Sequence, residues 1–282
     1  MSERTTASLY VVSTPIGNLG DMSARAIETL RGVSAVLAED TRHSRHLLDH
    51  FDIATPLEAY HEHNEAKATP RLVERLRAGE SLALISDAGT PLLSDPGARL
   101  VRAALEAEIA VVPIPGPSAL MAALVVSGID ADRFTFFGFL SRRGRERVEA
   151  LEEIVGLRHT AILYESPARL AATLADLAEL GAAARHAAVA RELTKQYEEL
   201  RRGTVEELAR YYQHSAPKGE VVIVIAGGTA ELVDEGTLRE RARTLRDGGA
   251  SARDVARTLI VEYGAPRNLA YRIAQEGRTS AG

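Results

Sequence analysis

Short apolar runs alternate with helically spaced segments along the first half of the chain, and Gly- or Pro-containing turns separate them. Leu9-Tyr10-Val11-Val12 reads as a buried strand and leads into the turn Ser13-Thr14-Pro15-Ile16-Gly17-Asn18. A helical pattern then runs to about Leu30, with Gly32 as its stop. Residues 33–37 predict a second strand, and Asp40 or Thr41 is placed to cap the helix that follows. A helix over 69–77 ends at Gly79, and Leu82-Ala83-Leu84-Ile85 is the next strand. A helix over residues 98–106 leads to a strand at 109–112 and the turn Pro113-Ile114-Pro115-Gly116-Pro117. Uninterrupted apolar strands in repeated strand–helix units predict a parallel, doubly wound sheet.

Past Gly128 the rhythm changes. Phe134-Thr135-Phe136-Phe137-Gly138-Phe139 is an aromatic strand that holds four of the five phenylalanines, and an Arg-rich stretch, 142–147, follows it. Ala161-Ile162-Leu163-Tyr164 is a strand, after which Ser166-Pro167 supplies a helix cap with Pro at the first helical position. Val189-Ala190, residues 198–200 and 221–226 add strands, so a second, mixed α+β region is expected. From Thr237 the strands stop. Thr237…Glu240 and Ser251…Asp254 have capping-box spacing, and Gly264-Ala265-Pro266 separates two helices. The expected domains are 1–128, 129–230 and a helical module over 237–282.

Composition is that of an ordinary globular protein, 45% apolar and 26% charged, and 282 residues are enough for two or three domains. The chain has no cysteine, which removes disulfides, thiolate metal sites and a Cys nucleophile together. No apolar run reaches the roughly 20 residues that cross a bilayer, and Met1-Ser2-Glu3-Arg4-Thr5-Thr6 lacks a signal peptide's apolar core. A cytoplasmic protein with no membrane partner is expected. The net charge of −5 argues against indiscriminate coating of nucleic acid. It is unevenly spread: 238–282 carries nine Arg against five Asp and Glu, a local +4 that leaves −9 on the rest.

There is no G-x-G-x-x-G after a strand, no G-x-x-x-x-G-K-[ST] and no G-x-S-x-G, so neither a phosphate-bearing nucleotide cofactor nor serine-hydrolase chemistry is favoured. His61-Glu62-His63 is not H-E-x-x-H; on a strand its histidines would share a face, but no metal site is expected. What recurs instead is a tight turn at a strand's carboxyl end, the edge at which open α/β sheets bind ligands. The turn Ser86-Asp87-Ala88-Gly89-Thr90-Pro91 adds a carboxylate there, and Pro115-Gly116-Pro117-Ser118-Ala119 enters a helix of small residues. Turns of this kind without a phosphate loop point to a neutral or cationic ligand held by backbone.

Thr14-Pro15-Ile16-Gly17-Asn18-Leu19, Ala38-Glu39-Asp40-Thr41-Arg42, Ser86–Pro91 and Asp95-Pro96-Gly97 together resemble the tetrapyrrole-methylase superfamily. Tyr164-Glu165-Ser166, Ala190-Arg191-Glu192-Leu193-Thr194-Lys195 and Lys218-Gly219-Glu220 continue the resemblance. More narrowly it is to the branch that methylates a ribose 2′-hydroxyl in small-subunit ribosomal RNA. The resemblance implies two α/β domains with the cofactor cleft between them, and a small helix-turn-helix-like C-terminal module. It also implies S-adenosylmethionine as cofactor, a cationic sulfonium without phosphate, which agrees with the turns. Carried over by motif, Pro15, Ile16 and Gly17 would line the cleft floor. Asp87, Gly89 and Thr90 would meet the amino-acid and sulfonium region, and Ser118, Ala119, Tyr164, Leu193, Gly219 and Glu220 would enclose the adenosine.

A ribose hydroxyl needs a base, for which Glu39, Asp40, His43, His61, Asp87 and Lys195 are candidates. Asp40, Arg42 and Lys195 are expected to form an RNA-facing catalytic wall. The expected partners are ribosomal RNA in the small ribosomal subunit and a second copy of the chain in a homodimer. The Arg-rich 142–147 stretch and the helical module would supply phosphate contacts. Competing readings are a tetrapyrrole-pathway carbon methyltransferase, a protein methyltransferase of the diphthine synthase kind, and an RNA-binding module without activity.

Overall fold

The computed structural model describes residues 7–215, 217–228, 235–263, 265 and 267–276. The described residues fall into two compact units. One takes in the chain up to Val155 together with 160–226, and the other takes in 156–159 and the chain from Gly227.

The first sheet of the larger unit contains β1 (Ser8–Val12), β2 (Ala35–Ala38), β3 (Leu57–Ala59), β4 (Leu82–Leu84) and β5 (Ala110–Ile114), in the order β3-β2-β4-β1-β5. Every pairing in it is parallel. Successive β2 residues serve opposite faces. Ala35 and Leu37 pack under α3 (Glu65–Arg77) and α4 (Ala98–Glu106), while Val36 and Ala38 pack under α1 (Ala24–Gly32) and α2 (Thr41–His50). A sheet buried on both faces needs apolar residues at every strand position, which is why these strands read as continuous runs rather than alternations. The expectation of a doubly wound sheet holds.

The second sheet contains β6 (Phe134–Phe139), β7 (Thr160–Glu165), β8 (His186–Arg191), β9 (Glu199–Thr204) and β10 (Val221–Ile225), in the order β6-β7-β10-β8-β9. Only β6 and β7 run parallel; the other pairs are antiparallel. α6 (Arg145–Gly156), α7 (Pro167–Leu177) and α8 (Val205–His214) complete this half. α5 (Ala119–Ser127) follows the first sheet in sequence, yet it buries Leu120, Ala123 and Leu124 against Ile162, Ala188, Ala190, Val222 and Val224 of the second. Its C-cap, Gly128, stands at the expected boundary, but the helix before that boundary packs with the strands after it.

In the smaller unit α9 (Glu235–Asp247), α10 (Ala252–Tyr263) and α11 (Arg267–Gln275) close over Leu238, Ala242, Val255, Leu259, Ala270 and Ile273. Ser251 caps α10 by accepting the Asp254 N–H at 3.2 Å, as its spacing predicts.

Several expectations need correction. α3 begins at Glu65, not residue 69, and carries Pro70 inside it. The first turn forms around Asn64, whose side chain accepts the His61 N–H, and the Thr69 hydroxyl donates to the Glu65 carbonyl at 2.7 Å. Thr237 is no cap, because α9 starts two residues earlier. His61-Glu62-His63 lies in the turn after β3 rather than on a strand, since β3 ends at Ala59. Gly264 and Pro266, expected to break the last helices apart, lie outside the described residues, as do 229–234 and 277–282.

Candidate functional site

The turns after β1, β4 and β5 are bonded to one another. Thr14 and Gly89 exchange backbone bonds, N to O 2.8 Å one way and 3.0 Å the other. The Thr14 hydroxyl donates to the Ser86 carbonyl at 3.1 Å, Ser13 Oγ reaches Thr90 Oγ1 at 3.1 Å, and Thr90 Oγ1 donates to the Pro117 carbonyl at 3.1 Å. Small polar residues at strand ends thus satisfy one another's buried groups and fuse three loops into one floor.

Above that floor opens a cleft of about 430 Å³. Its first-half wall includes Ile16, Glu39, Asp87, Gly89, Thr90, Leu93 and Asp95, and Ala119 opens α5 beside them. Its second-half wall runs across four neighbouring strand ends, with Phe139 on β6, Tyr164 and Glu165 on β7, Val221 and Val222 on β10, and Ala190 on β8 with Leu193 just beyond. Among the described residues five carboxylates line it (Glu39, Asp87, Asp95, Glu165 and Glu220) and no Lys, Arg or His does. Such a lining attracts a cation and repels phosphate.

The carboxylates differ in what they already hold. Glu165 is fully buried and accepts from the Ser166 N–H at 2.7 Å, Arg169 at 2.6 Å and the Thr173 hydroxyl at 2.7 Å. Ser166 is the N-cap of α7, with its own N–H held by Glu165 and no side-chain capping bond. Asp87 Oδ1 accepts the Asp40 N–H at 3.1 Å. Asp95 is pushed up to about 6 by burial, reinforced by Glu39 and Asp87 and opposed by a Ser86 hydrogen bond. Glu39 is raised too, first by burial and then by Asp87. Burial likewise raises the Tyr164 phenol.

Of the residues expected to bind cofactor, Ile16, Asp87, Gly89, Thr90, Ala119, Tyr164, Leu193, Gly219 and Glu220 line the cleft, whereas Pro15, Gly17 and Ser118 do not. Gly17 serves it indirectly. A Cβ there would lie 2.3 Å from Lys195 Cγ, so only glycine lets the 192–195 loop close over the β1 turn. Glu192 and Thr194 hold left-handed backbone in that loop, with φ of 51° and 67°. Ser118 Oγ and Thr194 Oγ1 are buried without a hydrogen-bond partner and lie outside the cleft lining.

The three expected catalytic residues stand outside the cleft lining. Asp40 caps α2, its carboxylate held below the usual range by the Arg42 and His43 N–H groups. Arg42 is 93% exposed. His43 Nε2 lies 3.2 Å from the Asp87 carbonyl, which sets this first turn of α2 beside the cleft floor. Lys195 bonds Glu192 at 2.9 Å and Glu220 at 3.2 Å. Burial lowers its pKa, but those two carboxylates outweigh burial and leave it raised, so it is an ammonium and no base. Asp95, Glu165 and Phe139 were missed as site residues. Asp95-Pro96-Gly97 and the aromatic strand were legible as motifs, but no spacing tied them to the Ser86–Pro91 turn.

Glu39 and Asp87 on one side, with the apolar Ala190, Leu193 and Val222 opposite, suit S-adenosylmethionine. The carboxylates match its positive sulfonium and ammonium, and the apolar wall its adenosine.

Residues 8–209 match the family model described as Tetrapyrrole (Corrin/Porphyrin) Methylases. A protein of Synechocystis sp., named Ribosomal RNA small subunit methyltransferase I, is 48% identical over 95% of this chain and 97% of its own length. One of the same name from Xylella fastidiosa is 46% identical over 95% and 98%. Among solved structures, uroporphyrin-III C-methyl transferase from Thermus thermophilus, complexed with S-adenosyl homocysteine, superposes with a TM-score of 0.57 at 17% identity, over 78% of this chain and 97% of that one. That likeness carries the fold; the identity to the first two carries the branch. The chain belongs to the tetrapyrrole methylase family, in the branch of the ribosomal RNA small subunit methyltransferases I.

Proposed function

We propose that this chain uses S-adenosylmethionine to methylate the ribose 2′-hydroxyl of a cytidine in small-subunit (16S) ribosomal RNA. Its relatives, 46–48% identical along nearly their whole length, are named for methylation of that RNA. The observation that carries the reading is the cleft itself, lined among the described residues by five carboxylates and no cationic residue, with an apolar wall across the ends of β6, β7, β10 and β8. The methyl donor supplies an electrophilic carbon on a positive sulfur. Asp87 and Glu39 offset that charge, and Ile16, Ala119 and Leu193 exclude water around it. Much of the acceleration would come from holding the hydroxyl in line behind the methyl group.

RNA contacts belong outside this acidic cleft. Arg42 at the head of α2 and exposed Arg243, Arg253 and Arg257 of the helical module offer phosphate contacts. Arg239, Arg246 and Arg272 are engaged within the module. A homodimer is its expected working form; exposed Met121, Val125 and Val126 of α5 offer apolar surface, and sedimentation at the 30.4 kDa chain mass would exclude it.

The decisive experiment incubates the protein with methyl-labelled donor and small ribosomal subunits, then digests the RNA to nucleosides. Label in 2′-O-methylcytidine is expected, whereas label in a methylated base or only in added tetrapyrrole would refute the reading. Replacing Arg243, Arg253 and Arg257 together by Ala should weaken RNA binding and flatten its salt dependence by about one unit of slope per lost contact, with donor affinity unchanged.

A further inference from the structure

The two ends of the cleft are built differently. At the β8–β10 end Ala190, Leu193, Gly219 and Val222 line a space suited to the donor. The β6 end has other features. β6 is an edge strand, and its pairing with β7 shifts register between Phe136 and Phe139. Gly138, inside that shift, has φ of 61°, and a Cβ on it would lie 2.9 Å from Ser94 Oγ. This close approach brings the 92–97 loop against the end of β6, and with it Asp95. Phe139 lines the cleft yet is 58% exposed, with its ring 5.5 Å from that of Tyr164. Three residues further on, Arg142 and Arg143 are exposed.

An exposed aromatic ring at a cleft mouth, next to cationic side chains, is the combination that receives an unstacked RNA base and its phosphates. We infer that the β6 end is the acceptor-nucleotide subsite: the Phe139 ring stacks on the base, Arg142 and Arg143 meet the flanking phosphates, and the Asp95 carboxylate takes the proton of the ribose hydroxyl. The inference rests on the reading of the chain as a ribose methyltransferase.

In the step so assigned, the ribose oxygen forms a bond to the methyl carbon as the carbon–sulfur bond breaks. The bonding pair passes to sulfur, leaving a neutral thioether, and the hydroxyl proton passes to Asp95 and then to solvent. Of the other four carboxylates, Glu165 is saturated by three donors, Asp87 holds the Asp40 N–H and Glu220 pairs with Lys195. Glu39, at the end of β2, is not on the 92–97 loop that Gly138 brings to β6. The groups that face Asp95 are Glu39 at the end of β2, Ser86 and Asp87 after β4, and Tyr164 on β7. Two of these are anions, and with burial they push Asp95 up to about 6, so it is ionised at neutral pH and basic enough to take part in proton transfer.

The test measures methyl transfer to small subunits, and separately donor affinity by calorimetry, for Asp95→Asn and Phe139→Ala. Asp95→Asn should lower kcat by ~10²-fold or more, with donor affinity within about threefold of the wild type, and should abolish the fall of wild-type activity below pH of about 6. Phe139→Ala should raise KM for RNA about tenfold with kcat and donor affinity little changed, and Phe139→Tyr should restore it. Retained activity or an unaltered acidic limb in Asp95→Asn would overturn the assignment, as would loss of donor affinity in Phe139→Ala. Wild-type label in a base instead of a ribose would instead sink the underlying function.

Discussion

The two halves of the larger unit make opposite contributions to one cleft. The first supplies charge on a floor fixed by backbone. Its turns exchange Thr14–Gly89 bonds and hydroxyl bonds to carbonyls, and its carboxylates sit where parallel strands end. The second supplies shape, with aromatic and apolar strand ends and a loop that Lys195 ties to Glu220 while its stem lies against Gly17. Charge repels a competing phosphate, while shape grips whatever passes that filter. Selectivity of this kind needs no cationic residue in the cleft, and it leaves the arginines to act outside.

If that division is right, disturbing each half should leave a different signature. The largest effect is expected at Glu165, the buried carboxylate that anchors α7 in the second half. Glu165→Ala strands Arg169 and should cost about 3–5 kcal/mol of folding stability by denaturant titration, since breaking a buried ion pair exposes its partner's desolvation. A loss under 1 kcal/mol would mean that solvent reaches the pair. The junction between the halves comes next. Gly17→Ala should lower donor affinity about tenfold by displacing the Lys195 stem, and combining it with Lys195→Ala should recover part of that loss. Strict additivity of the two changes would show that the loops do not couple.

The smallest effect is at Asp95. A carboxyl raised to about 6 in the folded protein, from an ordinary value near 4, favours folding only while protonated. Its contribution is therefore full below pH of about 4 and disappears as pH rises through about 6. Asp95→Asn should remove that slope and raise neutral-pH stability by about 1 kcal/mol, less than the full shift implies because the cleft admits solvent. Unchanged stability from pH 4 to 7 would mean that Asp95 is well hydrated.

The sequence displayed the layered parts of this architecture well. α4 and β6 stand where their patterns put them, and the continuous apolar strands foretold a sheet covered on both faces. Nine of the twelve residues expected around the cofactor line the cleft, because strand-end turns are local features that Gly and Pro announce. What stayed hidden is non-local. β2 and β4 are neighbours across a long crossover, so nothing in the spacing of Glu39, Asp87 and Asp95 shows that they face one cavity. Leu92, Ser94, Glu192 and Thr194 adopt left-handed backbone without the Gly or Asn that would signal it. Asp40 and Lys195 carried chemistry-bearing side chains, but the structure employs one in a helix cap and the other in an ion-pair clamp. α3 runs through Pro70 because the Asn64 turn starts it earlier than the proline suggests.

The bonds that fuse the floor reach across 72 residues from Thr14 to Ser86, and 77 from Ser13 to Thr90, while the opposite wall waits for Val221 and Val222. No early portion of a growing chain can therefore contain the binding site, whose assembly must come late in folding, as contacts of high sequence separation do. Once formed, the site rewards completion: a donor that binds only the finished fold stabilises every segment that contributes to it, in proportion to the logarithm of its concentration. Donor supply would then govern how long the folded molecule persists as well as how fast it turns over.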